Sequence, residues 1–129
     1  MDQGPLVTEE IEAGADLVRR FDAYKPIKVA FWLKVADDAS RYLYLASDDI
    51  GIEDIRTDYR EVIRLVGEMR NPYLDKFRVK LIGGKTPLAK AIADLFQHGV
   101  ARTMDRDRIF GDTYASEVYL YPQMRLAPV

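Results

Sequence analysis

The segment KLIGGKTPLAK, Lys80 to Lys90, runs from apolar residues into two glycines, a lysine and a threonine, and then into a helix-forming stretch. A strand that turns through glycines into a helix N-terminus can bind an anion. Its free N–H groups and the helix dipole both favour phosphate or carboxylate. Gly83, Gly84, Lys85 and Thr86 are therefore the candidate anion-binding residues, with Lys85 adding a point charge and Thr86 a hydroxyl. A phosphate-wrapping loop of the form G-x-x-x-x-G-K-[ST] needs its first glycine at position 79, where this chain has Val79. The long cradle is missing, so nucleoside triphosphate hydrolysis is not expected. Turn chemistry accounts for the same residues. The glycines permit positive φ, Thr86 caps the helix and Pro87 occupies its first position. Only Lys85 is left without a structural reason.

Other reactive types are sparse. Asp37–Asp38 and Asp48–Asp49 fall at opposite ends of an expected hairpin, where acids ordinarily form turns, so no metal site is expected. His98, the single histidine, lies in the last turn of an expected helix, where it complements the dipole without catalysis. Between Arg102 and Arg108 charges alternate in sign. This reads as a solvated loop, or as a flap over a ligand with Tyr114 beside it. There is no cysteine, which excludes disulfides, thiol nucleophiles and zinc–thiolate sites. The balance leans towards a non-catalytic chain without a cofactor.

At 129 residues, 48% hydrophobic and 31% charged, the chain has the balance of one globular domain. That domain is expected over residues 8–124, with residues 1–7 and 125–129 as flexible tails. The N-terminal segment lacks the basic and apolar regions of a secretory signal, and no run is long enough for a membrane span. A cytoplasmic protein is expected. The net charge of −2, with 21 acids against 19 bases, is not that of a general nucleic-acid binder.

Hydrophobic periodicity predicts the elements that must position these residues. A helix is expected over about Glu9–Tyr24, with Thr8 as cap. Strands follow in IKVAFWLKV and RYLYLAS, joined as an antiparallel hairpin. A second helix lies within Glu53–Met69, on the stripe Ile52, Ile55, Tyr59, Val62, Val66 and Met69. The strand KFRVKLI, a helix from Pro87 to His98 with Gly99 as its C-terminal residue, a short strand at Arg108–Phe110 and the strand EVYLYP complete the chain. The expected class is α+β, in the order α-β-β-α-β-α-β. One mainly antiparallel sheet of four to five strands would carry the helices on one face. The last two long strands could be linked by a parallel crossover through the third helix.

Strand alternation then divides the side chains. Val29, Phe31, Leu33, Val35, Leu43, Leu45, Phe77, Val79, Leu81, Val118 and Leu120 are assigned to the helical side. The opposite face would present Trp32, Lys34, Tyr42, Tyr44, Arg78, Lys80, Tyr119 and Tyr121. Five half-exposed aromatic rings there would offer about 400–600 Å², at the upper end of what a monomer displays. The leading expectation is a non-catalytic interaction domain that forms a homodimer through this aromatic and basic face. One alternative is a small-molecule binder, or small enzyme, for a phosphate- or carboxylate-bearing compound at Gly83–Thr86. The less favoured alternative is single-stranded nucleic acid stacked on the face.

Overall fold

The computed structural model describes residues 7–35, 40–97, 103–104 and 108–121. The expectations for Asp37–Asp38, His98, Gly99, most of the 102–108 loop and most of the two tails lie outside the described residues. Among the described residues no helix is long and apolar enough to cross a membrane.

Helix α1 spans Thr8–Tyr24 and buries Ala13, Leu17, Val18 and Phe21, which recur at three- and four-residue spacing along one side. Thr8 lies inside the helix and is not its cap. The Glu10 carboxylate instead turns back to accept the Val7 N–H at 3.2 Å. Strands β1 (Val29–Val35) and β2 (Arg41–Ser47) form the antiparallel hairpin, in register from Val29↔Ala46 to Lys34↔Arg41. Helix α2 (Ile55–Met69) ends at Arg70, whose φ of 51° lies in the left-handed region. Strand β3 is Val79–Gly83, helix α3 is Pro87–Gln97, and β4 (Thr103–Met104), β5 (Arg108–Phe110) and β6 (Thr113–Leu120) follow.

The α+β class and the order of elements are as expected. The sheet runs β3-β2-β1-β6-β4, with β5 also paired to β6. It is mixed, since β2 and β3 are parallel while the other pairs are antiparallel. The hydrogen-bonded parallel pair is thus made through α2. Strands β3 and β6, expected to be linked by a crossover through α3, do run parallel, with β2 and β1 between them.

This topology distributes the helices over both faces. From β2 the chain crosses through α2 outward to β3, then returns past β2 and β1 to place β6 on the other side. The two crossovers run in opposite directions, and a common handedness puts their helices on opposite sides of the sheet. Helices α1 and α2 share one core with Ala30, Trp32, Leu43, Leu45, Val79, Leu81 and Tyr121. Helix α3 shares the other with Val29, Phe31, Leu33, Tyr44, Val118 and Leu120. A sheet covered on both faces carries strands that are apolar nearly throughout, and β1 is buried from Val29 to Leu33.

The strand expected from Lys76 begins three residues later. Asp75 accepts the Phe77 N–H at 2.8 Å and caps a 3-10 turn over Lys76–Arg78. Alternation does not extend through that turn, so Phe77, assigned to the core, is 77% exposed.

A charged cluster ties α1 to α2. Asp58 is fully buried in the first turn of α2. The Tyr24 hydroxyl donates to Asp58 Oδ1 at 2.8 Å, and Lys25 Nζ lies 3.0 Å from the same oxygen and donates to Oδ2 at 3.1 Å. The hydrogen bond to Asp58 is the first cause, with burial next, that raises the Tyr24 hydroxyl to about 12. A tyrosine in the unfolded chain titrates near 10. The folded state therefore favours the protonated phenol. Its contribution is fully present below about pH 10 and disappears as pH rises through about 12. Alkaline unfolding of Tyr24→Phe followed by circular dichroism should lack this loss between pH 10 and 12. An alkaline limb identical to that of the parent would refute the assignment.

Candidate functional site

The aromatic rings do not form one exposed face. Register pairs Phe31 with Tyr44 and Trp32 with Leu43 across the hairpin, and Trp32 with Tyr119 and Phe31 with Leu120 across β1 and β6. The alternation assigned to β1 and β6 is therefore mutually consistent. That of β2 and β3 is offset by one residue, which moves their side chains to the other side. Trp32, Tyr119 and Tyr121 belong with α1 and α2, whereas Tyr42 and Tyr44 lie on the α3 side. Trp32, Tyr44 and Tyr121 are buried, so they cannot meet a partner as a shared surface. This corrects the premise of the dimer face.

Each group has an internal role. Trp32 Nε1 donates to the Tyr121 hydroxyl at 2.9 Å, and that hydroxyl donates to the Ile11 carbonyl at 2.6 Å. Burial is the main cause that pushes the Tyr121 hydroxyl above its ordinary value. Tyr44 stacks on Phe31 with ring centres 5.1 Å apart, and exposed Lys80 extends its ammonium over Tyr42 at 4.5 Å.

At the glycine turn, several of the donors that an anion would need are used within the chain. Gly84 N–H donates to the Ser47 carbonyl at 2.9 Å and Thr86 N–H to the Gly83 carbonyl at 3.2 Å. The Thr86 hydroxyl donates to the Gly83 carbonyl at 2.8 Å and accepts the Ala89 N–H at 3.4 Å, as a helix cap does. Asp48 Oδ1 sits so close to Gly84 that a β-carbon there would collide with it. A carboxylate against the turn opposes a second anion, and Lys85 points to solvent as an exposed side chain.

Among the described residues a cleft of about 380 Å³ is lined by Pro26, Ile27, Lys28, Ser47, Asp48 and Asp49. A smaller cleft that brings two arginines together lies on the side of the sheet that α1 covers. It has a volume of about 260 Å³ and is lined by Glu10, Trp32, Arg41, Pro72, Tyr73, Asp75 and Arg78. Glu10 comes from the first turn of α1, Trp32 and Arg41 from the hairpin, and the others from the segment between α2 and β3. Two of the sequence-derived face residues, Trp32 and Arg78, meet here, and a third, Lys34, stands beside the cleft in its ionic network.

Arg41 is only 3% exposed. Its Nε donates to Glu117 Oε1 at 3.3 Å, and Nη1 lies 4.0 Å from Glu10 Oε1. Lys34 approaches the other Glu117 oxygen at 3.9 Å. Arg41 is thus held in place by carboxylates on both sides. Arg78 differs: its Nη1 is buried and has no hydrogen-bond partner among the described residues. A buried guanidinium N–H left unpaired costs about 1–3 kcal/mol or more, so such groups call for a structural or functional explanation.

Glu10, Arg41, Tyr73 and Asp75 were missed in the sequence reading. Arg41 did carry a signal, because it stands two residues before Leu43 and therefore shares its side of the strand. Tyr73 and Asp75 sit in an irregular segment with no periodicity to place them. Comparison with protein-family models, with curated proteins and with solved structures returns no match to this chain.

Proposed function

We infer that this domain binds a small carboxylate-bearing compound in the cleft between the start of α1, the hairpin and the 72–78 segment. The observation that carries this reading is that Arg78 lines a cleft with Arg41 and Trp32 and has a guanidinium nitrogen, Nη1, without a hydrogen-bond partner among the described residues. A guanidinium presents parallel donors that match a carboxylate. Carboxylate is favoured over phosphate because Glu10 and Asp75 share the cleft and would face the extra charge of a phosphate. Exposed Pro72 and Tyr73 supply apolar contact for the remainder of the ligand, over the small edge of Trp32 that reaches the cleft. This retains the small-molecule alternative read from the sequence and moves it away from Gly83–Thr86.

Size limits the ligand. A liquid water occupies about 30 Å³, so the cleft holds the equivalent of about nine waters, or a ligand of roughly that many heavy atoms. At about 0.5 kcal/mol per atom such a ligand gains roughly 5 kcal/mol, a Kd near 0.2 mM. Binding should therefore be sought at millimolar concentration, by calorimetry with acetate, butyrate and benzoate against inorganic phosphate. Arg78→Met should abolish carboxylate binding. It should leave the ligand-free melting temperature unchanged or higher, because the deleted N–H has no partner to lose. A ligand-free Arg78→Met protein weaker by 2 kcal/mol, with binding retained, would show that Arg78 is a structural residue and refute the reading.

A further inference from the structure

Building on the carboxylate reading above, we propose that the ligand is a zwitterion of the α-amino-acid type, with its carboxylate on Arg78 and its ammonium between Glu10 and Asp75. The charges that line the cleft carry this step. Two guanidinium groups and two carboxylates share one small volume, yet they are not fully paired with each other. Arg41 is engaged by Glu117 at 3.3 Å and approached by Glu10 at 4.0 Å. Among the described residues neither Arg78 nor Asp75 takes part in an ion pair, although they lie three positions apart in the chain and line the same cleft.

Asp75 is held in its place by a different task. Its Oδ1 accepts the Phe77 N–H at 2.8 Å and caps the 3-10 turn, which fixes the carboxylate relative to Arg78. Glu10 is similarly oriented by accepting the Val7 N–H through Oε1. Each carboxylate has a second oxygen to offer. The result is a pre-arranged cation and a pre-arranged anion that do not satisfy one another.

The alternatives leave part of this arrangement opposed. A simple carboxylate would pair with Arg78 and place its charge near Asp75 and Glu10. A simple amine would leave Arg78 without a counter-charge. A dipolar molecule satisfies both ends, and its side chain meets Trp32 and Tyr73. The volume restricts it to a compact amino acid.

The test is calorimetry at fixed pH and salt with the proteinogenic L-amino acids, beginning with L-leucine. Its des-amino analogue 4-methylpentanoate and its decarboxylated analogue 3-methylbutylamine serve as partners. For any other amino acid that binds, the corresponding analogues are used. At least one amino acid should bind tenfold or more tightly than both of its analogues. Asp75→Asn keeps the carbonyl that caps the turn, so the fold is retained; circular dichroism checks this. The variant should reduce amino-acid affinity about tenfold while leaving des-amino acid affinity unchanged or stronger. Glu10→Gln, which also keeps its acceptor, provides a second variant with the same expected pattern. If the des-amino acid binds as tightly as the amino acid and both variants leave it so, the zwitterion is overturned and the carboxylate reading stands. If neither amino acids nor simple carboxylates bind, both fail.

Discussion

Replacing Gly14 by alanine is expected to lower stability by about 3 kcal/mol, or roughly 10 °C in melting temperature for a chain of this size. Gly14 lies on the buried side of α1, where a β-carbon would collide with the Tyr121 hydroxyl and lie 3.0 Å from Trp32 Nε1. Those two groups form the hydrogen-bonded chain from Trp32 through Tyr121 to the Ile11 carbonyl. Relief of the collision must displace that chain and leave buried donors or acceptors unpaired, which adds about 1–3 kcal/mol to the steric cost. On an exposed helix surface the same change would stabilise, since alanine exceeds glycine in helix propensity by about 1 kcal/mol. The sign therefore discriminates. The double variant Gly14→Ala/Tyr121→Phe removes the colliding oxygen, and its cost should fall well short of the sum of the single costs. Urea unfolding followed by far-ultraviolet circular dichroism measures all three. A neutral or stabilised Gly14→Ala protein would refute the packing of α1 on Trp32 and Tyr121.

Asp58→Ala is the second substitution with a large expected effect, about 2–4 kcal/mol. Removing one member of a buried ion pair typically costs about 3–5 kcal/mol, because the other charge remains without compensation. The lower figure applies because Lys25 retains some access to water, with 18% of its side chain exposed. Tyr24 would lose its acceptor as well. Domains of this size have a total stability of about 5–15 kcal/mol, so the loss is a large share of it. Lys25→Met/Asp58→Leu replaces the pair with apolar groups and should recover much of what Asp58→Ala loses. Denaturant midpoints decide the matter, with fluorescence of the single tryptophan as a convenient signal. A cost below 1 kcal/mol for Asp58→Ala would show that the cluster contributes little to the joining of α1 and α2.

These two residues also show what could be read from the chain in advance. Asp58 lies three positions after Ile55 and four before Val62, on the apolar stripe of α2 that periodicity had identified. An acid at such a position signals a buried partner, but the stripe was traced through its apolar members alone. Gly14 lies on the inner side of α1 between Ile11 and Val18, yet nothing local announces which ring will approach it. That approach depends on Tyr121, more than a hundred residues away.

The strands were visible as β-branched and aromatic runs, whereas their relative faces were not. With helices on both sides, Phe31 and Trp32 are equally buried, and alternation no longer separates core from solvent. The register of the hairpin then rests on its connection, and a difference of one residue exchanges Leu43 with Tyr44. The cleft was only partly legible for a related reason. Trp32 and Arg78 were noted as unusual, but their meeting with Glu10 and Asp75 depends on the irregular turn that shortens β3.

The central position of β1 carries a cost during synthesis. Its two neighbours are β2, a few residues onward, and β6, which is completed only at Leu120. Until that distant segment has left the ribosome, one long side of VAFWLKV has no hydrogen-bonding neighbour. An open strand so rich in apolar residues is the kind of template on which nascent chains adhere to one another. The placing of the last long strand beside the first makes β6 the piece that closes this exposed seam, and every earlier moment in translation leaves it open.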